Sequence, residues 1–294
     1  MSHAPRTQAQ LTLTDLRATA AEGRKLVMVT AYDAPTAGIA DAAGVDMILV
    51  GDSVGNVCLG FDSTLPVTMA MMRHHLEAVA RAHPRAFLMA DLPYLSYHLS
   101  PADALRNAGS LVRAGAQAVK LEGGRKRLDA IKALLDADIP VMGHLGLTPQ
   151  SLHAMGGYRV QAKEAAQALR LLEEAHALQE VGCFALLLEG IPAELGRRAT
   201  ESLAIPTIGI GAGPHCSGQV LVFHDVLGLI PGSGPKFVRT YLDGFGLLSE
   251  ALGRWVGDVR EGAFPGKAES YMLPDAARAA LDAWTPPGSS PEAE

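Results

Sequence analysis

The sequence predicts an α/β fold: a (βα)8 TIM barrel with an extra N-terminal helix. Three observations lead there. Short β-rich runs alternate with helix-length segments eight times along the 294 residues. Four of those runs end on a carboxylate: Ile48-Leu49-Val50-Gly51 on Asp52, Phe87-Leu88-Met89-Ala90 on Asp91, Ala118-Val119-Lys120-Leu121 on Glu122, and Ala185-Leu186-Leu187-Leu188 on Glu189. Three of these acids follow a helix-ending glycine (Gly44, Gly115, Gly182) by seven or eight residues, the αβ unit of a barrel repeated. An open doubly wound sheet is the structural alternative.

Thr12 to Ala21 reads as a helix ahead of the barrel. The candidate strands cover residues 26–30, 46–50, 86–90, 117–121, 140–143, 184–188, 207–210 and 219–223. Ser100-Pro101-Ala102-Asp103 supplies an N-cap, a proline at the first helical position and an acidic third residue, and Gly115 stops that helix. A second helix covers residues 69–82, with Pro84 just beyond, and a third covers residues 164–180, with Gly182 beyond. The domain reading is a flexible N-terminus at 1–10, a single barrel catalytic domain at 11–273, and a disordered tail at 274–294, where Ala, Pro and Ser accumulate.

Composition narrows the function classes. With 48% apolar and 19% charged residues the chain is globular. A net charge of −6 and the lack of a basic stripe argue against a nucleic-acid partner. No apolar run reaches the ~20 residues of a membrane helix, and the N-terminus lacks the apolar core of a secretory signal. Cys58, Cys183 and Cys216 form neither a disulfide framework nor a paired zinc spacing. The expectation is a soluble, cytoplasmic protein.

A buried strand that stops on an acid delivers it to the barrel's carboxyl edge, where such folds keep their chemistry. Carboxylates gathered in an apolar mouth repel and resist desolvation, and a divalent cation relieves both. Oxygen donors without a Cys or His pair favour Mg2+ over Zn2+. The competing reading pairs each acid with an Arg or Lys, or uses it to cap the next helix. Lys120 and Glu122, two apart on a strand, share a face. Glu189 follows an apolar run and has no adjacent cation in sequence, a setting that suits a general base; a helix-start role near Pro192 competes. His144 stands at a fifth strand end before a Gly turn and Thr148-Pro149, either as a site residue or as a structural histidine. His74 and His75 read as surface residues.

Two motifs compete with this picture. Gly51-Asp-Ser-Val-Gly55 matches the serine-hydrolase elbow, but the elbow needs a helix straight after Ser53, and residues 56–66 read as a loop. Gly209-Ile-Gly-Ala-Gly213-Pro214 approaches a dinucleotide fingerprint without its last glycine or its acid. It reads as an anion-holding turn or as a tight turn with no ligand.

At these residues the chain resembles the ketopantoate hydroxymethyltransferase family. The matching blocks are Thr30-Ala-Tyr-Asp33, Val50-Gly-Asp-Ser-Val-Gly55, Asp62-Ser-Thr-Leu-Pro-Val-Thr68, Ala90-Asp-Leu-Pro93, Val119-Lys-Leu-Glu-Gly123, Gly143-His-Leu-Gly-Leu-Thr-Pro-Gln150, Gly156-Gly-Tyr158, Leu188-Glu189, Ile208-Gly-Ile-Gly-Ala-Gly213 and Pro235-Lys-Phe237. They span about residue 12 to about residue 270. The resemblance implies a barrel of the phosphoenolpyruvate mutase/isocitrate lyase type. It also implies hydroxymethyl transfer from 5,10-methylenetetrahydrofolate to 3-methyl-2-oxobutanoate, giving 2-dehydropantoate on the route to pantothenate. It implies one Mg2+ per subunit held by Asp52, Asp91 and Glu122, and keto-acid contacts from Asp52, Ser53, Asp91 and Lys120. Glu189 becomes the proton acceptor with His144 beside the substrate, and the assembly becomes a homo-oligomer, a decamer of two pentamer rings. A folate-independent 2-oxo-acid lyase or mutase on the same barrel is the alternative. The chain departs from the family pattern at Ser217, where an acidic residue is usual, and at Gly190, where Cys or Ala is commoner.

Overall fold

The structure, a computed structural model, describes residues 9–232 and 234–286. Eight parallel strands close in chain order: β1 (Leu26–Thr30), β2 (Met47–Val50), β3 (Phe87–Asp91), β4 (Ala118–Glu122), β5 (Val141–Gly146), β6 (Ala185–Glu189), β7 (Thr207–Ile210) and β8 (Gly218–Leu221), with β8 pairing back to β1. The barrel is the expected fold, and each strand falls within three residues of its sequence-read bounds. The open sheet is excluded by that last pairing.

The helices in chain order are α1 (Leu13–Ala21), α2 (Ala34–Ala42), α3 (Val54–Val57), α4 (Met69–Ala80), α5 (Pro101–Arg113), α6 (Leu128–Leu135), α7 (Leu152–Met155), α8 (Ala165–Val181), α9 (Ala193–Ser202), α10 (Phe223–Val226), α11 (Gly244–Glu261) and α12 (Asp275–Asp282). Local chemistry sets their ends. Ser100 caps α5 by accepting from the Asp103 N–H, and Thr12 and Asp15 form a reciprocal capping box on α1. Gly182 closes α8 at φ 111°, a conformation that costs a side-chain-bearing residue about 1–2 kcal/mol.

The chain divides into two compact units after Leu242. The first holds the barrel. The second contains α11 and α12; on α11, Phe245, Leu248, Leu252, Trp255 and Val259 recur at helical spacing as an apolar stripe. α12 lies in the stretch expected to fray. Residues 1–8 and 287–294, on which the rest of the two terminal expectations falls, lie outside the described residues.

Two apolar clusters hold the barrel. One lies between strands and helices and includes Ile48, Val50, Leu88, Ala90, Val119, Leu121, Leu186 and Leu188. The other fills the barrel and takes the alternate residues: Met28, Met47, Leu49, Phe87, Met89, Ala118, Met142, Ala185, Leu187, Ile208 and Val220. Leu16 of α1 belongs to this inner cluster, with Leu13 and Ala20 packed against it. α1 therefore stops the amino-terminal end of the barrel.

The inward columns change chemistry along their length. β3 runs Phe87, Met89, Asp91, β4 runs Ala118, Lys120, Glu122, and β6 runs Ala185, Leu187, Glu189. The floor is apolar and the mouth is charged. Phe87 is 2% exposed and meets the Phe184 ring edge-on at 6.1 Å. Truncating it to Ala opens a cavity beneath the charged layer. Phe87→Ala is expected to cost about 3–5 kcal/mol; a loss below ~1 kcal/mol in denaturant titration would show that the floor does not support the barrel.

Candidate active site

Asp52, Asp91, Lys120, Glu122 and His144 are each 2–4% exposed. Barrel register sets their neighbours. Asp91 is paired with Lys120 across β3 and β4, and Lys120 Nζ lies 3.1 Å from Asp91 Oδ1. The two face each other as an ion pair, although Oδ1 accepts no well-aligned hydrogen bond. Glu122 is paired with His144 across β4 and β5, and their side chains approach to 3.4 Å at Nδ1. His144 Nε2 lies 3.4 Å from Glu189 Oε2. The Glu189 side chain is 16% exposed, more than the other acids. Its nearest cation-forming partner comes from the neighbouring strand, where sequence adjacency cannot reveal it.

The electrostatics follow from burial. Desolvation pushes the Asp52 carboxyl well above its usual range, and Asp91 and Glu122 add to this. Desolvation also raises Asp91, against the pull of Lys120. Burial alone would lower Lys120, but the carboxylates of Asp91, Glu122 and Asp52 outweigh it and keep the ammonium charged. Glu122 is desolvated too, yet His144 and Lys120 hold it below the usual carboxylate range. For His144, burial and Lys120 oppose protonation; Glu122 and Glu189 prevail and raise its pKa above 6.5.

Sequence reasoning missed Gln150 and Tyr97. Gln150 sits in a 3-10 turn after β5 (Pro149–Ser151). Its backbone N–H donates to Glu122 Oε2 at 3.0 Å, and its Nε2 donates to Asp52 Oδ2 at 2.7 Å. Tyr97 donates its hydroxyl to Gln150 Oε1 at 2.6 Å and accepts from the Glu122 N–H at 3.1 Å. A neutral amide and a phenol carry no charge signal in a sequence; the position of Gln150 next to an N-terminal turn proline is the one local cue.

Other expectations are adjusted. The segment after Ser53 begins with the one-turn helix α3, not directly with a loop. Ser53 Oγ nevertheless lies 2.8 Å from Tyr32 Oη, a phenol whose pKa burial raises, and so faces no base. His75 is half-buried and bonds the Tyr32 carbonyl oxygen through Nδ1 at 2.7 Å, so it is not a surface residue. In the glycine-rich turn after β7, a Cβ at Gly211 would meet Phe237 at 2.6 Å and one at Gly213 would meet Ala193 at 2.5 Å. That space is occupied by protein, which favours the tight-turn reading. Ser217 exchanges hydrogen bonds with Thr207 at 3.2 Å each way, at the start of β7 and away from the acids.

The donor chemistry fits a hard divalent cation. Four carboxylates share the mouth with one ammonium and one imidazole, the acids supply only oxygen donors, and Asp91 Oδ1 and His144 Nε2 lack aligned partners. Among the described residues no three His, Cys, Asp or Glu side chains are grouped tightly enough to hold a metal as they stand. Gln150, Lys120 and His144 occupy the gaps between the acids.

Two outcomes follow from this geometry. A Cβ at Gly146 (φ 96°) would lie 2.2 Å from the Glu189 carbonyl oxygen, so Gly146→Ala is expected to lower both melting temperature and turnover; unchanged thermal unfolding would refute the tight β5–β6 contact. The proton held on His144 stabilises the metal-free fold fully below about pH 6.5 and decreasingly as pH rises through its higher folded value. The melting gap between the chain and His144→Asn should therefore shrink as pH rises above about 6.5, and a gap independent of pH would count against the imidazolium.

Residues 10–267 match the family described as ketopantoate hydroxymethyltransferase. The chain is 65% identical, over 92% of each chain, to 3-methyl-2-oxobutanoate hydroxymethyltransferase 2 of Bradyrhizobium diazoefficiens. It is 52% identical to the 3-methyl-2-oxobutanoate hydroxymethyltransferase of Geobacter metallireducens, over 88% of this chain and 98% of that one. Among solved structures it is similar to a phosphonopyruvate hydrolase in complex with oxalate and Mg++ (TM-score 0.60, 14% identity, 92% and 95% covered). It is also similar to 2,3-dimethylmalate lyase, described as a PEP mutase/isocitrate lyase superfamily member (TM-score 0.56, 19% identity, 92% and 95% covered). At these identities the structures share a fold with the chain.

Proposed function

The chain belongs to the ketopantoate hydroxymethyltransferase family, and from that premise we propose that the acid cluster at the barrel mouth is its active site. The enzyme transfers a hydroxymethyl group to 3-methyl-2-oxobutanoate to form ketopantoate, and this identity implies methylenetetrahydrofolate as the one-carbon donor. The observation that carries the site assignment is the asymmetry of the mouth: three sealed acids gather around Lys120 and Gln150, and a fourth, Glu189, stands apart and partly open beyond His144.

Asp52, Asp91 and Glu122 would hold one Mg2+. When bound, the ion supplies Lewis acidity that draws electron density from the ketone oxygen. Lys120 adds a buried positive charge where the enolate oxygen develops, and it needs no reorganisation because Asp91 already orients it. Asp52 and Asp91 lie at the keto-acid end of the site. Ser53 binds the substrate carboxylate and performs no attack. Glu189 removes the proton from the branched carbon, its partial exposure leaving room for the substrate. His144 touches Glu189 and Glu122 from opposite ring nitrogens, so it orients the base relative to the keto-acid end. The enolate carbon then forms the new C–C bond to the donor's methylene as one of its two C–N bonds breaks, that nitrogen taking up the proton removed by Glu189. Water then replaces the second nitrogen, supplying the hydroxyl and releasing tetrahydrofolate.

The wider setting rests on the family resemblance: a decamer of two pentamer rings in the cytoplasm. The apolar stripe of α11 supports self-association, and the scattered, odd set of cysteines supports a reducing compartment.

The deciding assay measures product from 3-methyl-2-oxobutanoate with and without methylenetetrahydrofolate and Mg2+; turnover of the keto acid without folate would favour the lyase alternative. Glu189→Gln is expected to lower kcat by ~10²–10⁴, retain Mg2+ binding and abolish solvent deuterium exchange into the keto acid. Exchange that persists in this variant rules Glu189 out as the base. Ser53→Ala should retain measurable activity, and complete loss together with labelling by a serine-directed phosphonate would reinstate the hydrolase reading.

A further inference from the structure

Gln150 is 5% exposed and uses every polar atom of its side chain. Nε2 donates to Asp52 Oδ2 at 2.7 Å and to the Leu92 carbonyl oxygen at 3.0 Å, and Oε1 accepts from Tyr97 at 2.6 Å. Its backbone N–H donates to Glu122 Oε2 at 3.0 Å. One residue thus grips one oxygen of each of two carboxylates, Asp52 just past the end of β2 and Glu122 at the end of β4. The Leu92 carbonyl oxygen can only accept, so it fixes the NH2 end of the amide toward itself and Asp52. Oε1 is left to accept from the Tyr97 hydroxyl, which also reaches the Glu122 carbonyl oxygen at 3.3 Å. An amide orients a carboxylate without neutralising it. A lysine in the same place would form an ion pair with the acid and compete with an incoming cation.

We infer that Gln150, bonded by Tyr97, is a positioning residue that presets Asp52 and Glu122 for the divalent cation by holding one oxygen of each in place. This rests on the proposed metal role of those acids. Residues that orient metal ligands typically change metal affinity by about 10–100-fold when removed. An unaligned Asp52 would also face the repulsion of Asp91 and Glu122 across a dry space, with nothing to fix its rotamer.

The test is Mg2+ titration calorimetry on the metal-free enzyme, with melting temperature as a control for folding. Gln150→Met keeps the volume and loses the donors; its Kd for Mg2+ should rise by about 10–100-fold. The Mg2+ concentration for half-maximal turnover should rise in step, and most of kcat should return at saturating Mg2+, which a misfolded site would not allow. Tyr97→Phe removes one hydroxyl and should raise Kd in the same direction with Gln150 in place. If Gln150→Met does not fold, the Tyr97→Phe titration decides the matter. Unchanged Kd in the variants, with normal binding by the unmodified enzyme, overturns this inference alone. No Mg2+ binding by the unmodified enzyme overturns the metal reading and this inference with it.

Discussion

Four carboxylates share one dry barrel mouth with a single ammonium and an imidazole. That imbalance is the constraint on which the rest of the site depends. A carboxylate removed from water must be protonated, hydrogen-bonded or paired with a cation. The chain uses all three devices on different acids. Asp91 faces Lys120, Glu122 is held ionised by His144 and Lys120, and Asp52 is driven toward its neutral form while Gln150 donates to it. The surplus of negative charge that remains is what a divalent cation would satisfy.

The barrel makes this concentration possible by separating its inner face into a floor and a rim. Phe87, Met89, Ala118, Met142, Ala185 and Leu187 exclude water below, and the residues two positions on carry the charge. Asp91, Lys120, Glu122 and His144 then have neighbours fixed by strand register, whereas Asp52 follows the end of β2 and Gln150 sits in the turn after β5. Asp91 meets Lys120, and Glu122 meets His144, because those pairs stand opposite each other in the ladder. Rigid strands are suited to this work, since a displaced ligand oxygen weakens both binding and chemistry.

The strands were legible in the sequence because burial on both faces leaves continuous apolar runs, and a run that ends on an acid marks its own direction. The helix ends of α5 and α8 were legible because Ser100-Pro101 and Gly182 have local conformational reasons to be there. Pairwise partners across strands were not. That Glu189 has His144 beside it, or that His75 reaches the Tyr32 carbonyl, depends on register between segments 43 or more residues apart in sequence. Gln150 shows the same limit more sharply: its backbone and side chain serve two acids, one just past β2 and one at the end of β4, and nothing about a glutamine after Thr-Pro announces it. The loop reading after Ser53 failed at a finer scale, where one helical turn has too few residues to show a period.

The stopper formed by α1 at the amino-terminal end has a consequence for traffic. With Leu16 sealed into the inner cluster, the amino-terminal end is closed among the described residues, and the carboxyl mouth is the way in. The side chains proposed to bind the keto acid are almost wholly covered, whereas Glu189 is more exposed. Two substrates that use one entrance at unequal depths have to queue. On the proposed site, the small keto acid would have to enter before a bulkier donor, and the product would leave only after the spent carrier had moved aside.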